Sequence, residues 1–305
     1  MRLFKIHRRV RVCEAVPFIY DFARRSRKSD NYKRTYRCMA KHLKGFEDSR
    51  GLKLMSNSFS ESMAEDFVSY LTEKGLALNT VSGYFDKVCY MFRRMGRSGF
   101  DVDHSFECIS VDMEEVMSVY ITSDEIENIY MMKVTKSQEI IRDRFVANCL
   151  TGMRYSDFSK LTPSNIQGGM IVRKTQKTGE QVMVPMHRIV REIIKKYDGF
   201  PPYINSSQNY NKSIKRICRK AGLTDRVMIE RTKGGKVIRK TFKRYELVTS
   251  HTARRSFATN AYIAGIPTAR IMLITGHTTE QSFFKYIRIG KKENAKTLAE
   301  HPFFQ

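Results

Sequence analysis

Two histidines, two arginines and one tyrosine carry residue types and spacings suited to phosphate chemistry. In the stretch from Ser250 to Ile289, His251 and Arg254 lie three residues apart, one helical turn. His277 follows Gly276, where a new helix can begin, and Tyr286 comes nine residues later inside a short apolar helix made by Phe283, Phe284 and Ile287. A phenol with a pKa near about 10 is mostly protonated at neutral pH and needs neighbouring cations or a base to become a nucleophile. A phosphodiester under attack gathers negative charge on its non-bridging oxygens, which arginine forks and histidines can stabilise. The expectation is that Tyr286 attacks DNA. A second arginine, Arg154, sits in TGMRYSDFSKL after Gly152, at a break between helices where a side chain can point into a cleft. Leu150, Phe158 and Leu161 anchor its flanks, and Asp157 is placed to orient a neighbouring cation.

The elements that must hold these groups read as follows. Acids in the first turn mark a helix start at Thr122-Ser123-Asp124-Glu125. A longer helix over about 135–151 has Ile140, Ile141, Phe145 and Cys149 as its buried stripe. MIVRKTQKTGEQVMVPM reads as two short strands joined by a turn at Lys177-Thr178-Gly179-Glu180. A lysine on such a turn can reach into a DNA groove and donate a proton; Lys177 is the first candidate and Lys174 competes with it. Helices over about 188–197 and 207–221 precede a hairpin, 226–248, with its turn at Lys233-Gly234-Gly235-Lys236. Its eight Lys and Arg make it either a DNA-contacting ribbon or a solvated hairpin.

Upstream, 16–99 is helical. Met63, Phe67, Tyr70 and Leu71 share one face of 61–74, and Val81, Tyr84, Val88, Met91, Phe92 and Met95 share one face of 80–95. Asn79 is a candidate N-cap, with Gly75 and Gly96 as helix stops. Basic clusters at Arg24, Arg25, Arg27 and Lys28, at Lys33, Arg34 and Arg37, and at Arg93, Arg94 and Arg97 suggest a surface that follows a phosphate backbone. Residues 1–15 form a basic arm, and the acidic stretch 100–121 reads as a linker.

Composition agrees with a polyanionic partner. The chain of 305 residues carries 55 Lys+Arg against 31 Asp+Glu, a net charge of +24, and binding to DNA or RNA would release condensed counterions. The other classes such a charge admits are membrane-surface and ribosomal proteins. No run approaches the roughly 20 apolar residues of a membrane span, and the N-terminus lacks a signal-peptide core, so a cytoplasmic protein is expected. The six cysteines are scattered without a C-x-x-C pair and read as reduced core residues, neither a zinc site nor a disulfide framework.

On Arg154 in TGMRYSD, Lys177 in QKTGEQVMVP, His251 and Arg254 in HTARRS, His277 in TGH and Tyr286 nine residues on, the chain resembles the tyrosine recombinases, the phage-integrase-family site-specific recombinases. The wording of TGMRYSD, RKTQKTGEQVMVP and HTARRSFATN is similar to recombinases from Bacteroides, which include DNA invertases and mobile-element integrases. Ala253 stands where members often have leucine and Arg255 where many have histidine, both support positions.

The resemblance implies a mainly α fold with small β-hairpins (α+β): a C-shaped, two-domain DNA clamp with a helical core-binding domain (16–99) and a catalytic domain (122–290). It implies that Tyr286 attacks the scissile phosphate and forms a 3′-phosphotyrosyl bond. Arg154, Arg254 and His277 would bind the non-bridging oxygens, His251 would assist proton transfer at the tyrosine, and Lys177 would protonate the leaving 5′-oxygen. No metal or nucleotide cofactor is implied. The partners would be double-stranded DNA with paired core sites and, in a synapse, three further copies of a chain that is a monomer when free; accessory DNA-bending proteins are also open. Residues 291–305, with Leu298, Phe303 and Phe304, would pass to a neighbouring copy. With only about 15 residues before the core-binding pattern, a separate arm-binding domain is not expected. Two other classes compete: a type IB topoisomerase, which relaxes supercoils without pairing sites, and a DNA-binding regulator without catalysis.

Overall fold

The computed structural model describes residues 10–176, 179–204 and 206–288, together with Ala295 and Ala299. It is mostly helical with small antiparallel sheets, and it divides into two compact units, one of residues 1–116 with 229–240, the other of 117–228 with 241–305. No helix among the described residues is long and apolar enough to cross a membrane.

In the first unit, four helices, α1 (Ala15–Arg25), α2 (Asp30–Arg50), α3 (Glu61–Glu73) and α4 (Leu78–Arg97), surround one apolar core. Phe67 and Leu71 of α3 and Val81, Val88, Met91, Phe92 and Met95 of α4 are buried, as the helical period predicts. Met63, Tyr70 and Tyr84 pack against them from the margin. Phe106, from the stretch read as a linker, is also fully buried here.

Two boundaries differ from the sequence reading. Asn79 does not cap α4: Ala77 takes that position, while the Asn79 amide exchanges a pair of 2.9 Å hydrogen bonds with the backbone of Glu114. That bond bridges positions 35 apart, so no local signal could reveal it. Gly96 lies inside α4, and the chain turns only at Gly99.

Part of the basic surface is internally paired. Arg24 and Arg25 bond Asp21, Arg93 pairs with Glu107, and the Arg94 guanidinium lies 4.8 Å from the centroid of the Phe22 ring. The hairpin tip at 229–240 is a packing element of this unit. Thr232 N–H donates to both Glu114 carboxylate oxygens, at 2.9 and 2.7 Å, and Gly234 N–H donates to Leu76 O at 3.0 Å.

The second unit starts with α5 (Ser123–Met131), opened by a reciprocal capping box between Thr122 and Glu125, and α6 (Lys136–Cys149). The short α7 (Tyr155–Phe158) leads to β1 (Ile166–Gln167), β2 (Met170–Lys174) and β3 (Gln181–Pro185), an antiparallel sheet of three strands where two were expected. In chain order then come α8 (Arg188–Tyr197), α9 (Ser207–Lys220), the hairpin β4 (Arg226–Lys233) and β5 (Lys236–Lys243), of which 229–240 belongs to the first unit, and α10 (Arg244–Leu247). Last come α11 (Ser250–Ile263), α12 (Thr268–Thr275) and α13 (Glu280–Phe284).

Helix α6 has no single buried stripe. From Arg142 to Cys149 every side chain is buried, whereas Ile140 and Ile141 are only partly so. The charges inside are largely paired: Asp143 accepts from Arg142 and Lys196 at 2.8 Å and from the Tyr197 hydroxyl at 2.9 Å, and Arg144 donates to Ser159 O at 2.9 Å while its Nε has no acceptor among the described residues. Helix α11 buries Thr252, Ala253, Ser256, Ala258, Thr259 and Ala261, small side chains that let it pack closely on α6 and α12. The close fit places the backbone of Arg254 in the interior. A satellite cluster of Ala258, Ala261, Ile271 and Phe283, with Tyr286 and Ile287 against it, fastens α13 to α11 and α12.

The cysteines divide. Cys89, Cys149 and Cys218 are buried, Cys13 is half-buried, and Cys38 and Cys108 are exposed, so the expectation of core residues fails for these last two.

Candidate active site

Five of the six expected residues lie in the second unit within the described residues; Lys177 lies outside them. Arg154 is the N-cap of α7, extended in backbone, at the break the sequence predicts. His251 and Arg254 stand one turn apart at the start of α11. Gly276 ends α12 in the left-handed conformation (φ 62°), so it caps the preceding helix and does not begin the next, which waits for the Thr279 cap. Tyr286 follows the end of α13 and is not within it; its N–H reaches back to Phe283 O at 2.7 Å.

Although far apart in sequence, these groups converge. Arg254 is almost fully buried; its Nη1 donates to Gly152 O at 2.9 Å and its Nη2 lies 3.0 Å from His277 Nε2. The Arg154 Nη2 donates to Gly276 O at 3.1 Å. The Tyr286 ring centroid is 5.5 Å from the Arg254 guanidinium carbon and 4.7 Å from the His277 ring. Thr259 holds the tyrosine segment to α11: its Oγ1 donates to Tyr286 O at 3.3 Å and accepts from Arg288 N–H at 3.2 Å.

The electrostatics are those of a site short of negative charge. Burial, and next the like charge of Arg154, push the Arg254 pKa down to about 10; Tyr286 and Asp157 oppose that shift. Desolvation, and next the charges of Arg255, Arg254 and Arg154, lower the pKa of His251 although the residue is exposed, which favours its neutral imidazole. Two guanidinium nitrogens of this cluster, Arg154 Nη1 and Arg254 Nε, are buried without an acceptor among the described residues, as are the Nε atoms of Arg144, Arg173 and Arg255. Buried donors normally have partners, so an anion's oxygens fit here.

Residues 119–293 match the phage integrase family, and residues 16–100 match the phage integrase SAM-like domain. The chain belongs to the phage integrase family. It is a site-specific recombinase of the tyrosine type. Its fold is similar to the Tn1549 transposon integrase in complex with transposon right end DNA, with a TM-score of 0.65 and 16% identity over 94% of this chain and 99% of that one. It is also similar to a lambda integrase dimer bound to a COC′ core site, with a TM-score of 0.67 and 15% identity over 90% and 94% of the two chains. A third likeness is to the XerH site-specific recombinase bound to a palindromic difH substrate in a post-cleavage complex (TM-score 0.64, 16% identity, 88% and 79%). No curated protein matches the chain in sequence.

Within this recombinase, Asp157 has a different task from the one its spacing suggests. It is buried, and its Oδ1 accepts from the Gln176 N–H at 2.9 Å, so it ties α7 to the base of the β2–β3 turn; its charge reaches Arg254 without a direct bond. Sequence reasoning also missed Thr275, whose Oγ1 lies 2.8 Å from His277 Nδ1, although its place two residues before the histidine was a usable signal.

Gly152 supplies the acceptor for Arg254 and has no room for a side chain. Its φ is +64°, and a Cβ there would lie 2.3 Å from Phe257 Cδ1 and 2.6 Å from Cγ. Gly152→Ala is therefore expected to destabilise the protein by about 2–5 kcal/mol, the left-handed backbone and the overpacking adding together. Urea unfolding of the two proteins checks this; equal midpoints would mean that Phe257 swings aside freely.

Proposed function

We propose that this recombinase cuts each DNA strand by attack of the Tyr286 phenol on the scissile phosphate, leaving a 3′-phosphotyrosyl bond and a free 5′-hydroxyl. Arg154 and Arg254 grip the non-bridging oxygens and His277 assists them, while His251 takes the phenolic proton. Lys177 returns a proton to the leaving 5′-oxygen. The covalent bond conserves the phosphoester, so a 5′-hydroxyl from a second site can reverse the step onto a new strand. The observation that carries this reading is the approach of Arg254 to the tyrosine, its guanidinium carbon 5.5 Å from the Tyr286 ring centroid, together with two buried nitrogens, Arg254 Nε and Arg154 Nη1, that lack an acceptor among the described residues.

The substrate is double-stranded DNA with paired core sites, contacted by the helical 16–99 region and by the 122–290 region, with four copies in the synapse and a monomer when free. The solved relatives support this, since they are complexes with DNA and include a lambda integrase tetramer bound to a Holliday junction. The reaction serves DNA inversion or the integration and excision of a mobile element, according to how two sites are arranged. The segment 291–305, with its Leu298 and Phe303-Phe304 anchors, would pass between copies; the anchors lie outside the described residues.

The test is covalent trapping: labelled DNA from either side of the protein's own gene is incubated with the enzyme, and a denaturing gel is examined for a protease-sensitive adduct. Tight binding without any adduct would favour a regulator that only binds. For the proton donor, Lys177→Ala is expected to slow cleavage by roughly 10²–10⁴. A substrate with sulfur at the 5′-bridging position needs no proton and should restore the rate. Lys174 lies exposed at the end of β2, and if Lys174→Ala alone showed the defect and its rescue, the assignment would move there.

A further inference from the structure

We propose that Thr275 is a positioning residue that fixes the neutral His277 ring in the tautomer with the proton on Nδ1, so that Nε2 serves as an acceptor for Arg254. The proposal rests on the reading of His277 and Arg254 as parts of the recombination site, and it concerns how the DNA-free protein prepares them.

Thr275 is the last residue of α12 and is 1% exposed. Its hydroxyl has a single proton to give. Oγ1 lies 2.8 Å from Ile271 O, the carbonyl one turn back, and 3.4 Å from Met272 O. A carbonyl can only accept, so the proton goes to the helix backbone, the usual back-bond of a buried threonine. The lone pairs of Oγ1 then face His277 Nδ1 at 2.8 Å, and that nitrogen must be the donor.

The other side of the ring gives the same answer independently. A guanidinium has only donors, and Arg254 Nη2 stands 3.0 Å from His277 Nε2, so that nitrogen must present a lone pair. In the opposite tautomer, N–H would face N–H at Arg254 and two acceptors would face each other at Thr275. The result is one connected chain from Ile271 O through Thr275, His277 and Arg254 to Gly152 O. It holds the guanidinium by two of its nitrogens before any phosphate arrives. When a phosphate oxygen replaces His277 as acceptor of Nη2, the imidazole keeps its orientation through the Nδ1–H bond to Thr275, and a proton taken from solvent at the freed Nε2 makes that nitrogen the donor that assists the arginines.

Thr275→Val keeps the shape and removes the acceptor, whereas Thr275→Ser keeps the hydroxyl. The first readout needs no catalysis: nitrogen-15 histidine spectra of the full-length, DNA-free protein at mildly alkaline pH, with His277 assigned through His277→Gln. Wild type and Thr275→Ser are expected to show the Nδ1–H form, and Thr275→Val a mixture of tautomers. The second readout is single-turnover cleavage of the trapped DNA fragment. Thr275→Val should be slower by up to about 10²-fold with unchanged DNA affinity, as for a misplaced catalytic group, and Thr275→Ser should restore the rate.

An Nε2–H form in the wild type would overturn the proposal. So would a Thr275→Ser variant as slow as Thr275→Val, or a Thr275→Val variant at the wild-type rate. If the wild type forms no adduct on any DNA, the recombination reading fails, while the spectra still decide the role of Thr275.

Discussion

Tyr286→Phe is expected to abolish the covalent adduct completely while leaving the fold and DNA binding unchanged. The substitution removes one oxygen and keeps the ring that packs 4.7 Å from His277 and against the satellite cluster of Ala258, Ala261, Ile271 and Phe283. The backbone links that position the segment, Tyr286 N to Phe283 O and Thr259 Oγ1 to Tyr286 O, do not involve the side chain. Thermal unfolding and a gel-shift titration should therefore match the wild type. Without the hydroxyl no nucleophile remains at this position, and no partial activity is expected. An adduct in the phenylalanine variant would remove Tyr286 from the mechanism. The next tyrosine to examine would be Tyr262, which lies on α11 with its ring 6.3 Å from Phe284.

What could be read from the sequence depended on how local each interaction is. The faces of α3 and α4 follow from apolar spacing alone, and the α5 start follows from a capping box that spans three residues. The residues at positions 154, 251, 254, 277 and 286 could likewise be singled out as candidates, because only a few side-chain types suit a phosphate. Their convergence was not legible, since it depends on α7, α11 and the α12–α13 junction meeting. The Arg154 bond to Gly276 O joins residues 122 apart, and the Arg254 bond to Gly152 O joins residues 102 apart.

Helix α6 was misread for a related reason. Arg142, Asp143 and Arg144 look like a solvent face in sequence, yet Asp143 is fully buried, because α8 supplies Lys196 and Tyr197 from 53 and 54 residues away. A buried charge with partners that distant leaves no trace in local periodicity. The end of α13 before Tyr286 shows the limit at a smaller scale. The apolar pattern Phe283, Phe284, Ile287 continues past the point where the backbone leaves the helix, and only the tertiary hold of Thr259 on Tyr286 O accounts for the placement.

Arg254→Ala should retain site binding and lose cleavage by roughly 10²–10³ or more, the effect of removing one fixed donor from a developing oxyanion. The structure gives reasons to expect the upper part of that range. Arg254 is 2% exposed, so its charge acts where water screens little, and its guanidinium is held by Gly152 O and His277 before the substrate enters. Burial and Arg154 already disfavour that charge, with the pKa down to about 10. A phosphate with growing negative charge relieves both effects, and does so most at the transition state, where binding energy accelerates reaction. Arg254→Lys should recover little, because a single ammonium cannot span the Gly152 carbonyl, the imidazole and a phosphate oxygen as a planar fork does. Arg154→Ala should behave in the same direction, since its Nη1 is also a buried donor without an acceptor among the described residues. Single-turnover cleavage alongside a binding titration separates the outcomes. If both alanine variants lost DNA binding with the fold intact, the arginines would be ground-state anchors, and the rate acceleration would have to come from elsewhere in the site.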